Sequence, residues 1–258
     1  MPDKKTSWIY RMIRALVRFF SPRYRIEGAE NLPGEPCVIV GNHSHMYGPI
    51  AGELFTPGRH YVWCAGEMMN RKEVHGYAFR DFWSGRPRAL HWFYRLLSYL
   101  ITPLALCVFN NAHTIAVYRD TRLISTYRES MEKLREGNHI VIFPECYDEY
   151  NNIVHDFHDK FVDLARFYYK KDGIELSFVP MYLAPALSRI VYGRPIRFNA
   201  GAPIAEERAR ICTALKEEIT ELALRLPPHT VVPYPNVTRR HYPKSQPLEV
   251  YKHEETGN

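Results

Sequence analysis

Short aliphatic runs alternate along this chain with stretches whose apolar positions recur every three or four residues. The runs at 37–40, 61–64, 114–118, 139–143, 176–182 and 196–199 have strand character. After the third, Asp120 is an N-cap, Leu123, Tyr127, Met131 and Leu134 follow helical spacing, and Gly137 ends the pattern. A second helical stripe carries Phe157, Phe161, Leu164 and Tyr168. A third opens at Pro203 and carries Ile211, Leu215, Ile219 and Leu222. Strands interleaved with helices predict an α/β fold, with a mixed, largely parallel central sheet flanked by helices.

The two ends read differently. Trp8, Ile9, Met12, Ile13, Leu16, Val17, Phe19 and Phe20 are interrupted by Arg11, Arg14 and Arg18. On a helix, positions 9, 12, 13, 16 and 20 form an apolar stripe with basic flanks. That predicts an N-terminal amphipathic helix contacting a membrane surface, where arginine meets phosphate and Trp8 sits at the boundary. Beyond Pro227 the chain is polar and proline-rich and is expected to be a surface-hugging or disordered tail. The predicted organisation is therefore an interfacial helix over 1–23, one α/β domain over 24–226 and a tail over 227–258. The apolar run 96–109 is too short to span a bilayer unaided and reads as a buried or interfacial segment.

Composition narrows the function classes only a little. The 258 residues are 46% hydrophobic, enough for a sizeable core. A formal net charge of +6 favours anionic partners such as phosphate-bearing molecules or acidic lipid headgroups. No nucleic-acid-binding motif accompanies that charge, so no nucleic-acid partner is expected. Cys37, Cys64, Cys107, Cys146 and Cys212 are odd in number, scattered and without a C-x-x-C pair. They predict a reduced, cytoplasmic setting and no zinc site. The arginines at 11, 14 and 18 break any signal-peptide core, so the expected location is the inner face of a membrane, held peripherally.

Polar residues gather where three strands end, the positions at which open α/β sheets bind ligands. The first cluster is Gly41-Asn42-His43-Ser44-His45, where His43 leaves an apolar strand just before a helix expected at Pro49. That suits a general base. His43 and His45 together could also suggest a metal, but no third ligand is evident. The second is Tyr118-Arg119-Asp120, with Arg119 suited to clamping an anion. The third is Phe143-Pro144-Glu145-Cys146-Tyr147-Asp148, and a Val179-Pro180 strand follows.

In order and spacing these segments resemble the lysophosphatidic-acid acyltransferase family of glycerolipid enzymes. Its pattern is N-H-x-x-x-x-D, then F-I-x-R, then F-P-E-G-T-R, then V-P. Here they stand as Asn42-His43, Ala116-Val117-Tyr118-Arg119, Phe143-Pro144-Glu145 and Val179-Pro180, with Gly193-Arg194-Pro195-Ile196 similar to a later G-x-P-I turn. The resemblance runs from Tyr24 to Leu226. It implies transfer of an acyl group from acyl-CoA or acyl-carrier protein to a glycerolipid hydroxyl, with the thioester as co-substrate and no resident cofactor. By the same resemblance His43 is the base, Arg119 the phosphate clamp and Glu145 a pocket acid. Asn42, His45, Tyr118, Pro144 and Cys146 line the substrate site.

Two departures stand out. The aspartate that orients the family's histidine is Gly48 here, and Gly-Thr-Arg becomes Cys146-Tyr147-Asp148. The second change replaces a cation with an anion and disfavours a phosphate there. Three readings follow. In one, an acyltransferase has His43 oriented by another acid, Asp148 or in reserve Glu145, and takes a less anionic acceptor. In another, the fold is a non-catalytic module binding a membrane or an acyl chain. In the third, Cys146 is a nucleophile with His43 as its base.

Overall fold

A computed structural model of the protein describes residues 7–118, 120–235 and 237–246. The strands are β1 (Arg25–Glu27), β2 (Val38–Gly41), β3 (His60–Ala65), β4 (Thr114–Val117), β5 (His139–Ile142), β6 (Glu145–Tyr150), β7 (His155–Phe157), β8 (Ser177–Ala184), β9 (Arg189–Tyr192) and β10 (Ile196–Arg197). The helices are α1 (Trp8–Phe20), α2 (Tyr47–Phe55), α3 (Val74–Ala78), α4 (His91–Asn111), α5 (Leu123–Arg135), α6 (Asp163–Asp172) and α7 (Ile204–Arg225). They form two compact units, Met1–Pro22 with Tyr61–Glu129, and Arg23–His60 with Ser130–Asn258.

In the second unit the strand order is β1-β9-β8-β2-β5, with β10 also on β8. β2 is parallel to both neighbours, Val40 opposite Ile142 on β5 and Gly41 opposite Met181 on β8. β9 and β10 run antiparallel to β8, so the sheet is mixed and largely parallel, as the alternation predicted. All four residues of β2 are buried, which explains why the strand reads as one aliphatic run without alternation. α7 packs on β8 through Ile211, Leu215 and Ile219, all fully buried; each such side chain contributes about 1.5–3 kcal/mol of hydrophobic stabilisation. Arg208 on α7 forks onto Asp163 of α6 at 2.8 and 2.6 Å.

Four strands escaped the sequence pattern, β1, β6, β7 and β9. β1 and β9 are short, and β6 is written Glu-Cys-Tyr-Asp-Glu-Tyr, which lacks an apolar run. β6 and β7 form a hairpin whose turn holds Asn152 at φ +70°, a left-handed position asparagine tolerates. Phe157, expected on a helical stripe, lies in β7 instead; the helical stripe proper starts after it. Residues 227–235 and 237–246, expected in a surface-hugging or disordered tail, lie against the rest of the second unit. Val231 N–H donates to Pro243 C=O at 2.9 Å, and His229 is buried, its Nε2 2.8 Å from the Tyr182 hydroxyl. The local sequence is polar, but its few apolar and aromatic groups find partners in the sheet unit.

In the first unit β3 and β4 pair in parallel, Trp63 opposite Ile115. Asp120 Oδ1 accepts the Arg122 amide at 2.9 Å on the way into α5. α3 and α4 enclose a small cluster of Met68, Val74 and Ala105. α1 packs on α4, and the Ser7 amide donates to Asn111 Oδ1 at 2.9 Å. The run 96–109 is part of α4, a longer helix that is mostly exposed, not buried. By length and composition Arg88–Asn111 is apolar enough to cross a membrane. Trp92, Leu100 and Leu104 project outward from it, and Trp8, Phe19 and Phe20 from α1, Phe19 being 82% exposed.

Candidate active site

His43 stands just past the carboxyl end of β2, between the ends of β5 and β8. The backbone can crowd there because Gly41 lacks a side chain: a Cβ would meet Met181 Cε at 2.6 Å and the Phe143 ring at 2.9 Å. The Asn42 amide extends the β2–β8 ladder where main-chain pairing stops. Its Oδ1 accepts the Leu183 N–H at 2.7 Å, and its Nδ2 donates to Leu183 C=O at 3.0 Å and to Ser44 Oγ at 2.7 Å. Asn42 thus ties the site to the sheet.

The Glu145 carboxylate underpins the other side. It is buried at 4% exposure and accepts two main-chain amides, His43 N–H at 2.5 Å and His155 N–H at 3.0 Å. Burial pushes its pKa up to about 7, with the two amides opposing. The expected pairing of the first and third motifs is therefore present, but through the histidine backbone. The imidazole itself meets neither Glu145 nor Asp148. Its Nδ1 lies 2.6 Å from the carbonyl of His45, two residues on. Burial presses the His43 pKa down to about 4.

Asp148 is exposed, and its Oδ2 accepts from Cys146 Sγ at 3.1 Å. Burial first, then that carboxylate, raise the Cys146 pKa, so the sulfur stays a thiol. Cys146 Sγ also reaches Asp156 C=O at 3.2 Å, and no imidazole among the described residues bonds to it. That arrangement gives a cysteine nucleophile no base. Pro144 C=O accepts from the His158 amide at 2.9 Å and holds the start of the hairpin. Tyr118 lies in the other unit, its hydroxyl 3.4 Å from Gly66 C=O and its ring 3.8 Å below the Arg122 guanidinium. Arg119, the expected phosphate clamp, lies outside the described residues.

Three participants were not legible in the sequence. The ring of Tyr234, from the C-terminal segment, sits 5.1 Å from His43 and 4.8 Å from Tyr147. His155 is 7% exposed, stacks on Tyr150 at 4.2 Å and leaves its Nε2 buried without a hydrogen-bond partner. The Asn151-Asn152 pair was the available signal, since it marks the turn that brings His155 back to Glu145. The third is the His45 carbonyl. No side-chain motif announces a main-chain acceptor. The His45 ring is fixed in turn, its Nε2 donating to Pro235 C=O at 2.7 Å.

A parallel-sheet strand end that presents a half-buried, carbonyl-bound histidine beside a buried glutamate has the parts of a general-base site. The Acyltransferase family matches residues 23–184, and the chain belongs to that family. Among solved structures it is similar to the 1-acyl-sn-glycerophosphate (LPA) acyltransferase PlsC from Thermotoga maritima. The identity is 18%, the match covers 85% of this chain and 81% of that one, and the TM-score is 0.48. No curated protein matches the chain significantly.

Proposed function

We propose that the protein moves a fatty acyl group from acyl-CoA or acyl-carrier protein to a hydroxyl of a glycerolipid-like acceptor, with His43 as general base. The observation that carries this is the His43 hydrogen bond. With Nδ1–H donated to the His45 carbonyl, Nε2 holds the lone pair, and no other residue described is bonded to it. Nε2 takes the acceptor's hydroxyl proton as the oxygen attacks the thioester carbonyl. Collapse of the tetrahedral intermediate breaks the C–S bond, and the imidazolium returns the proton to the departing thiolate. Glu145 holds the backbone of His43 and His155 in register for this chemistry.

The acceptor is less anionic than a phosphate monoester. Supporting this, β6 carries Cys146, Tyr147 and Asp148 where the family has Gly-Thr-Arg, and Asp148 and Glu149 stand exposed on the hairpin. A carboxylate in that place repels a phosphate. The partner surface is a lipid bilayer met by α1 and α4. Their outward Trp8, Phe19, Phe20, Trp92 and Leu100, with Arg11, Arg14 and Arg18 alongside, suit an interface of acyl chains and anionic headgroups.

The test is purified protein with liposomes, radiolabelled acyl-CoA or acyl-carrier protein, and a panel of neutral, amine-bearing and phosphorylated lyso-acceptors. Labelled product from a neutral or amine-bearing acceptor, lost in His43→Ala, is expected. Liposome binding with no product from any acceptor would overturn the enzymatic reading and leave a membrane-binding module. A preference for the phosphorylated acceptor would overturn the acceptor assignment alone.

A further inference from the structure

Resting on that reading, we propose that the main-chain carbonyl of His45 is the orienting group of the His43 base, held by a left-handed turn and by the grip of the C-terminal segment on the His45 ring. A base of this kind needs a partner on Nδ1 that fixes its tautomer and its ring plane. In the family pattern a carboxylate five residues later has that task. Here the Nδ1 position is already filled by a carbonyl oxygen at 2.6 Å, which imposes the same tautomer without bringing a charge.

The turn that delivers this oxygen is unusual. Ser44 and His45 are consecutive non-glycine residues with φ of +45° and +52°, a conformation that residues bearing a Cβ adopt rarely and that clusters at functional sites. Each part of it is tied down. Ser44 Oγ accepts from Asn42 Nδ2 at 2.7 Å, and Ser44 C=O accepts the Tyr47 amide at 3.0 Å. His43 C=O accepts the Gly48 amide at 3.0 Å. The His45 ring donates to Pro235 C=O at 2.7 Å and lies edge-on to Tyr242 at 5.8 Å.

Gly48 completes the argument. α2 begins at Tyr47, two residues before the expected Pro49, with Met46 at its N-cap, so Gly48 lies inside the first turn. A Cβ on it would press into the carbonyl of His43 and come within 2.8 Å of Asn42 C=O. Position 48 therefore cannot hold any carboxylate while the turn keeps this shape. The missing aspartate and the left-handed turn are two halves of one exchange, a side-chain acceptor for a main-chain acceptor. His45 is a positioning residue in this scheme, acting on the hydroxyl only through His43. Burial, not this bond, presses the ring's pKa down to about 4; the carbonyl works the other way, as an acceptor facing the imidazolium should.

The test has two arms. In the wild-type chain labelled with ¹⁵N-histidine, long-range ¹H–¹⁵N spectra read the His43 tautomer directly, and Nδ1–H is expected; an Nε2–H tautomer would overturn the proposal. In turnover assays, His45→Phe keeps a ring but loses the donor to Pro235, and kcat should fall about a hundredfold with little change in KM. His45→Gln, which keeps an N–H donor, should recover most of that loss. Gly48→Asp should be no faster than wild type. Wild-type kcat in His45→Phe, or a faster Gly48→Asp, would overturn the proposal. The tautomer is read without turnover, so a chain inert toward every acceptor sinks the acyl-transfer reading while the proton position still decides this one.

Discussion

Glu145 offers the sharpest quantitative check, because its environment fixes both the sign and the size of an effect. The carboxyl is buried and is pushed from 4.5 up to about 7 by desolvation. Between those two pH values the folded chain keeps a proton that the unfolded chain releases. Stability contributed by this group is thus fully present below pH 4.5 and declines as pH rises through 7, by about 3 kcal/mol in total. His43 runs the opposite way. Its pKa is pressed from 6.5 down to about 4, so its contribution is gained as pH rises over that interval. The two slopes nearly offset between pH 4.5 and 6.5, and the pair masks itself in the wild-type protein. Glu145→Gln removes one of them. The variant leaves the His43 and His155 amides facing an amide group, so it is destabilised throughout, and most strongly at acid pH. The gap to wild type should shrink by about 3 kcal/mol between pH 4.5 and 8. Urea unfolding of both proteins at half-unit pH intervals measures that gap, with His43 and every other group cancelling in the difference. A gap that stays constant with pH would refute the reasoning, because Glu145 would then titrate alike in the folded and unfolded chains.

Other expectations follow from the same geometry. Because His43 is neutral above about pH 4, kcat/KM for acyl transfer should stay level down to about pH 5, and an acid limb near 6.5 would contradict the burial of the ring. Cys146→Ser should keep acyl transfer within a few-fold of wild type, since the sulfur is a hydrogen-bonded thiol; a trapped acyl-thioester at Cys146 would reverse that assignment. Gly41→Ala should lower stability by about 1–3 kcal/mol, seen as a drop in Tm, because the new methyl meets Met181 and the Phe143 ring. Phe19→Asp combined with Leu100→Asp should weaken co-sedimentation with anionic liposomes while leaving the unfolding midpoint in place, both side chains being exposed.

The sequence determined much of this protein. Strands buried on both faces read as apolar runs, so β2, β5 and β8 announced themselves, β8 in spite of the proline at 180. The amphipathic faces of α5 and α7 did so by period, and Asp120 and Gly137 marked where α5 is entered and left. Motif order alone carried the family and put His43 beside Glu145. Tertiary structure decided what those residues meet. β6 is polar because residues 147–149 are exposed, so pattern could not find it. The C-terminal segment looks like tail because its contacts are few and aromatic, yet Tyr234 and Pro235 close on the two histidines. Above all, the partner of the His43 ring is a backbone oxygen. Every residue carries one, so no choice of side chain reveals which is used; only the path of the turn through Ser44 and His45 does.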